Sequence, residues 1–132
     1  MNSERTGVIV VTHGAAADDM VDAAERMVGK LDVRTVSVSF TEERTAVEDR
    51  LEHAVEELDT DEVLFLVDLE GSTPFNLCCK RCRGAAVVLS GMNLPMLFKL
   101  STADRTHGAR ALAEELRATA IKSIHIRSGG GR

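Results

Sequence analysis

Two short runs of adjacent apolar residues constrain this chain more than any other feature. Val8-Ile9-Val10-Val11 and Val63-Leu64-Phe65-Leu66-Val67 are continuous, not alternating. A strand with one wet face alternates apolar and polar residues, so a continuous run of this length implies a strand covered on both faces. Both runs end abruptly in polar, chemistry-bearing residues: Thr12-His13-Gly14 after the first and Asp68-Leu69-Glu70-Gly71-Ser72-Thr73-Pro74 after the second.

The intervening segments carry the helical period. Met20, Ala23, Ala24, Met27 and Leu31 recur at three- and four-residue spacing, with Asp18 and Asp19 in the first turn and Gly29 as the stop. Val47, Leu51, Ala54, Val55 and Leu58 form a second stripe, for which Thr45 and Glu48 have capping-box spacing. Between them Val36, Val38 and Phe40 alternate with Ser37 and Ser39, the pattern of an edge strand. Thr73 reads as an N-cap and Pro74 as the first residue of a short helix through Cys82. Ala85 to Leu89 is a further strand, Pro95 to Leu100 a helical segment, and Leu112, Ala113, Leu116 and Ala120 line a last helix. Ile121 to Ile126 is read as a fifth, terminal strand.

Strands alternating with helices predict a three-layer α/β/α sandwich around a mainly parallel sheet of order 2-1-3-4. The chain of 132 residues, 44% hydrophobic, fits one domain over residues 1–127, with a flexible Gly-rich tail at 128–132. An excess of 21 acidic over 16 basic residues, with no Trp or Tyr, argues against a nucleic-acid-binding domain. No apolar run is long enough to span a bilayer, and the N-terminus lacks the pattern of a signal peptide, so a cytoplasmic protein with reduced thiols is expected.

Ligands of such sheets bind beyond the carboxyl ends of the strands, where the strand order reverses between the first and third. His13 and Asp68 end those two strands. A carboxylate that fixes one imidazole nitrogen leaves the other oriented and nucleophilic, and the helix start at Thr73-Pro74, with the hydroxyls of Ser72 and Thr73, adds an anion site. This set suits a phosphohistidine better than hydrolysis, since neither a second base nor a metal cluster accompanies it. No P-loop motif is present.

In three segments the sequence resembles the EIIA domain of the mannose-type branch of the bacterial phosphoenolpyruvate-dependent sugar phosphotransferase system. They are Val8 to Gly14, Leu64 to Asn76, and Ser90-Gly91-Met92-Asn93-Leu94-Pro95-Met96-Leu97. The resemblance implies that His13 takes a phosphoryl group from the phosphocarrier HPr and passes it to a histidine of an EIIB domain. Asp68 would orient the imidazole, and Thr73, where the family has a serine, would contact the phosphoryl group with Ser72 nearby. It also implies a homodimer that exchanges an antiparallel C-terminal strand, with Ile121 to Ile126 as its counterpart. No cofactor or metal is expected at the His13 step. Ser72 replaces a common glycine, and Glu70 stands where a large aromatic is often found. The short glycine tail predicts that EIIB is a separate chain.

Other residues have plainer readings. His53, His107 and His125 are expected to carry no role, and the acidic stretch from Glu42 to Glu57 to be a solvated helix face. Cys78, Cys79 and Cys82 lack a second ligand cluster and read as small, partly buried side chains on a helix. Asn93 fits a turn or helix start, and Asn76 either a donor or the same structural part. Rival functions are a purely regulatory phosphohistidine protein, a phosphoryl donor to a dihydroxyacetone kinase, and a small tetrapyrrole metal chelatase. The last also places a histidine and glycine after its first strand, but gives the Asp68 to Pro74 segment no purpose.

Overall fold

A computed structural model describes residues 5–80 and 85–130. Its strands are β1 (Thr6–His13), β2 (Arg34–Val38), β3 (Glu62–Val67) and β4 (Ala86–Ser90). They form one parallel sheet in the order β2-β1-β3-β4, as the sequence predicts. The helices are α1 (Ala16–Val28), α2 (Arg44–Leu58), α3 (Thr73–Cys79), α4 (Leu94–Leu100) and α5 (Ala109–Lys122).

The continuous apolar runs are explained by two cores, one on each side of the sheet. Successive side chains of a strand point to opposite faces. Val8, Val10, Leu64 and Leu66 pack against α1, α4 and α5 through Ala17, Val21, Ala24, Leu97, Leu112 and Leu116. Ile9, Val11, Phe65 and Val67 pack on the other side against Val47, Leu51 and Ala54 of α2 and Leu77 and Cys78 of α3. Phe65 is fully buried, and β1 is buried from Thr6 to Thr12.

Three polar groups tie the ends of these elements. The Thr12 hydroxyl, itself buried, accepts the Ala17 N–H and caps α1, whose N-cap residue Ala15 has no capping side chain. At the start of α5, Glu62 accepts the Ala109 N–H at 2.7 Å. At the opposite end of the sheet from the strand carboxyl ends, buried Arg105 donates to the carbonyls of Leu31 and Asp32.

Several local expectations are corrected. α3 is capped by Ser72, so Thr73 is its first residue and Pro74 its second; both Ser and Thr make good caps, and the choice falls to the one whose hydroxyl reaches the Phe75 N–H. The capping box at Thr45 and Glu48 does not form, because α2 already starts at Arg44 after Glu43. β2 stops at Val38, which leaves Phe40 in the loop, and Met27 is exposed. Ile121 belongs to α5, which runs to Lys122, and Ile124 to Ile126 form no strand among the described residues. α3 ends at Cys79; Cys82 lies outside the described residues, as do the last two residues of the tail. Among the described residues no helix is long and apolar enough to cross a membrane.

Thr12→Val keeps the shape of the side chain but strands the buried Ala17 N–H, so unfolding in urea is expected to show a loss of about 1–3 kcal/mol. An unchanged midpoint and slope would contradict this capping role.

Candidate functional site

The site follows from strand register. His13 ends β1 opposite Val38 of β2, and Val11 stands opposite Val67 of β3. Asp68, the next residue after β3, therefore emerges beside Thr12 and His13. Its Oδ2 accepts two hydrogen bonds at 3.0 Å, one from the His13 backbone N–H and one from the His13 ring at Nδ1. A single carboxylate oxygen thus fixes both the main chain and the imidazole of the same residue. Asp68 and His13 side chains retain 28% and 30% of their exposure, so the pair is shielded yet reachable.

The carboxyl of Asp68 sits below its ordinary pKa. Desolvation is the largest single influence and pushes it up, but the backbone N–H and the ring of His13 together outweigh that penalty. As the anion, Asp68 is an acceptor only, so the imidazole Nδ1 must be the donor. In the neutral ring the proton is then on Nδ1, and Nε2 keeps its lone pair as the nucleophilic atom.

The turn after His13 is fixed as tightly. Gly14 has φ +58°, a conformation that suits glycine, and its N–H donates to the Val38 carbonyl at 2.7 Å. Immediately beyond, Thr12 caps α1 as described above. Across β2, the ring of Phe40 stacks on that of His13, with centroids 5.8 Å apart and planes inclined by 23°. The sequence reading missed both Thr12 and Phe40. A threonine just before a helix start is a usable capping signal, whereas Phe40 was absorbed into the alternation of β2.

The expected phosphoryl-binding residues stand at the head of α3. The Ser72 hydroxyl donates to the Leu69 carbonyl at 2.8 Å and accepts the Phe75 N–H at 3.2 Å, so its bonds are spent on the loop and the helix. Thr73 is exposed, and Pro74 has no N–H to offer. Glu70 faces solvent. Asn93 is structural, capping α4 through the Met96 N–H at 3.2 Å, while Asn76 reaches the Gly71 carbonyl at 3.5 Å. His53, His107 and His125 are exposed. Cys78 is buried, and desolvation raises the Cys79 thiol above its usual pKa, which makes it a poorer nucleophile at neutral pH. Among the described residues no three His, Cys, Asp or Glu side chains are grouped to hold a metal.

Asp68 should also stabilise the fold in a pH-dependent way. Because its pKa is lower in the native state than in the unfolded chain, its contribution is present above the ordinary aspartate value, about 3.9, and is lost as the pH falls through the lower native value. The stability gap between the wild type and Asp68→Asn, measured by urea unfolding across pH, should be widest near neutrality and close in acid. A gap independent of pH would refute the assignment.

Comparisons with known proteins bear on the family and the fold. The EIIA-man family, described as the PTS system fructose IIA component, matches residues 7–117. Among solved structures, the mannose/sorbose specific IIA subunit of the phosphotransferase system from Enterococcus faecalis superposes with a TM-score of 0.86 at 21% identity, covering 97% of this chain and 98% of its own, and shows the shared fold. The PTS IIA protein associated with the fucose utilization operon from Streptococcus pneumoniae gives 0.81 at 28% identity over 96% of both chains. The phosphotransferase system component EIIA from Streptococcus agalactiae gives 0.81 at 25% identity, over 92% of this chain and 96% of its own. No curated protein sequence matches significantly. With most of its length matched, the chain belongs to the EIIA-man family of phosphotransferase-system IIA components, a membership that supports a role in phosphoryl transfer.

Proposed function

We propose that this chain is a phosphoryl relay that accepts a phosphoryl group from phospho-HPr on Nε2 of His13 and passes it to a histidine of a separate EIIB. The observation that carries the reading is the double hydrogen bond from His13 to one oxygen of Asp68. It holds Nδ1 protonated and leaves the lone pair of Nε2 for the phosphoryl group.

In the accepting step the Nε2 lone pair forms the new bond to phosphorus while the bond to the donor breaks, and the donor atom recovers its electron pair. No proton leaves His13. The ring becomes an imidazolium still bonded to Asp68, whose negative charge offsets the new positive charge. In the reverse sense the same anion lets the phosphorylated ring act as a leaving group toward EIIB. Thr73, exposed at the start of α3, is the hydroxyl left to contact the phosphoryl oxygens, and Ser72 holds the loop that presents it.

The surroundings suit a protein partner in the cytoplasm more than a small substrate. His13 lies at the surface, with Phe40 83% exposed against it and Leu69, next to Asp68, 61% exposed. Exposed apolar side chains around a reactive atom become buried when a partner surface docks.

The chain also acts as a homodimer. β4 is the outer strand of the sheet, its residues only half-buried, while Ile124 and Ile126 are 74% and 99% exposed. A second copy supplies what each lacks: the isoleucine segment of one chain adds to the open β4 edge of the other.

Incubation with phosphoenolpyruvate, enzyme I and HPr should place an acid-labile phosphate on His13, read by intact mass and peptide mapping. His13→Ala should take up none, and labelling of that variant would sink the site. Asp68→Asn should fold but transfer about ten- to a hundredfold more slowly, the worth of a charge-assisted hydrogen bond; unchanged kinetics would make Asp68 merely structural. Sedimentation should show two copies, and the double variant Ile124→Asp, Ile126→Asp one; a monomeric wild type would overturn the dimer.

A further inference from the structure

Phe40 contributes little to the core, being 83% exposed, yet its position is held by a dense frame. Arg50 donates to the Ser37 carbonyl at 2.9 Å and to both oxygens of Glu42 at 2.9 and 3.0 Å. Glu42 in turn accepts the Ser39 N–H at 3.2 Å, and its own N–H donates to the Ser39 carbonyl at 3.1 Å. These bonds close the loop on either side of Phe40. From below, the ring lies beside the tight turn at Gly14, where a Cβ would meet it at 3.6 Å, an ordinary contact. The contact that this frame secures is the stack on the imidazole of His13.

We infer that Phe40 is a positioning residue that favours the phosphorylated state of His13, in which the imidazole ring itself is cationic, over the neutral one. The inference rests on the relay reading above. With Nδ1–H retained on Asp68, bond formation at Nε2 turns the ring into a cation, and the negative face of an aromatic ring within about 6 Å of a cation attracts it. The centroid separation of 5.8 Å falls inside that range. The neutral imidazole gains less from the same contact. Phe40 therefore draws the phosphoryl group toward this chain in its equilibrium with the donor, and the frame from Arg50 to Glu42 spares it the cost of ordering at the moment of transfer. At an exposed site the attraction amounts to a factor of about two to five.

The test is the equilibrium, not the rate. The full chain is mixed with phospho-HPr at several ratios until phosphate exchange is complete, and the phosphorylated fraction of each protein is read by intact mass. Phe40→Leu should lower the equilibrium constant for transfer to this chain by about two- to fivefold, while Phe40→Tyr, which keeps an aromatic face, should restore it. Because Phe40 lies outside the core, both variants should match the wild type in circular dichroism. A changed Michaelis constant with an unchanged equilibrium would make Phe40 a docking residue only and overturn the inference while leaving the relay intact. A loss shared equally by Leu and Tyr would also overturn it. Absence of any phosphate on the wild type, with a control IIA labelled by the same HPr, would overturn both this inference and the relay reading.

Discussion

One carboxylate oxygen organises this protein. Oδ2 of Asp68 accepts the main-chain N–H and the ring Nδ1–H of His13, each at 3.0 Å, and so joins the ends of two neighbouring parallel strands. The bond to the main chain continues the β1–β3 pairing one step beyond the last ladder position. The bond to the ring converts that structural join into a chemical setting: it fixes the tautomer, the orientation and the sign of the charge nearest the imidazole. Burial alone would push the Asp68 carboxyl up, and the two bonds from His13 reverse that. Anion and histidine therefore hold each other in the state that the proposed attack by Nε2 would require.

The rest of the fold can be seen as what keeps these two residues in place. The two apolar cores cover both faces of β1 and β3, which makes their carboxyl ends rigid points of emergence. Thr12 caps α1 directly behind His13, Gly14 bonds back to β2, and Ser72 closes the loop from Leu69 to α3. Each uses a hydrogen bond, local for Thr12 and Ser72 and across to Val38 for Gly14, to turn the chain sharply away, so that His13 stays accessible. The proposed relay between proteins would need that combination of a rigid base and an open rim.

Much of this was legible in the sequence because it depends on patterns with a single physical solution. Continuous apolar runs demand burial on both faces, and alternation with helices demands a parallel sheet, which leaves His13 and Asp68 at adjacent strand ends. What was not legible depends on partners distant in the chain. The alternation of Val36, Val38 and Phe40 gives no sign that β2 ends before Phe40; there Gly14, just after β1, bonds the Val38 carbonyl and Arg50 of α2 bonds the Ser37 carbonyl. Ser72 and Thr73 are both capable caps, and only the geometry of the turn from Leu69 selects Ser72. Ile121, Ile124 and Ile126 fit a helical spacing at first and a strand spacing at the end, and within one chain the helix prevails as far as Lys122.

The central claim is that Asp68 reserves Nδ1 of His13 and leaves Nε2 to carry the phosphoryl group. The most direct measurement is nitrogen and phosphorus NMR on the chain with ¹⁵N-labelled histidine, before and after phosphorylation. The account predicts a proton on Nδ1 in both states and a one-bond phosphorus coupling to Nε2 in the second. A phosphorus coupling to Nδ1, or to any histidine other than His13, would contradict it.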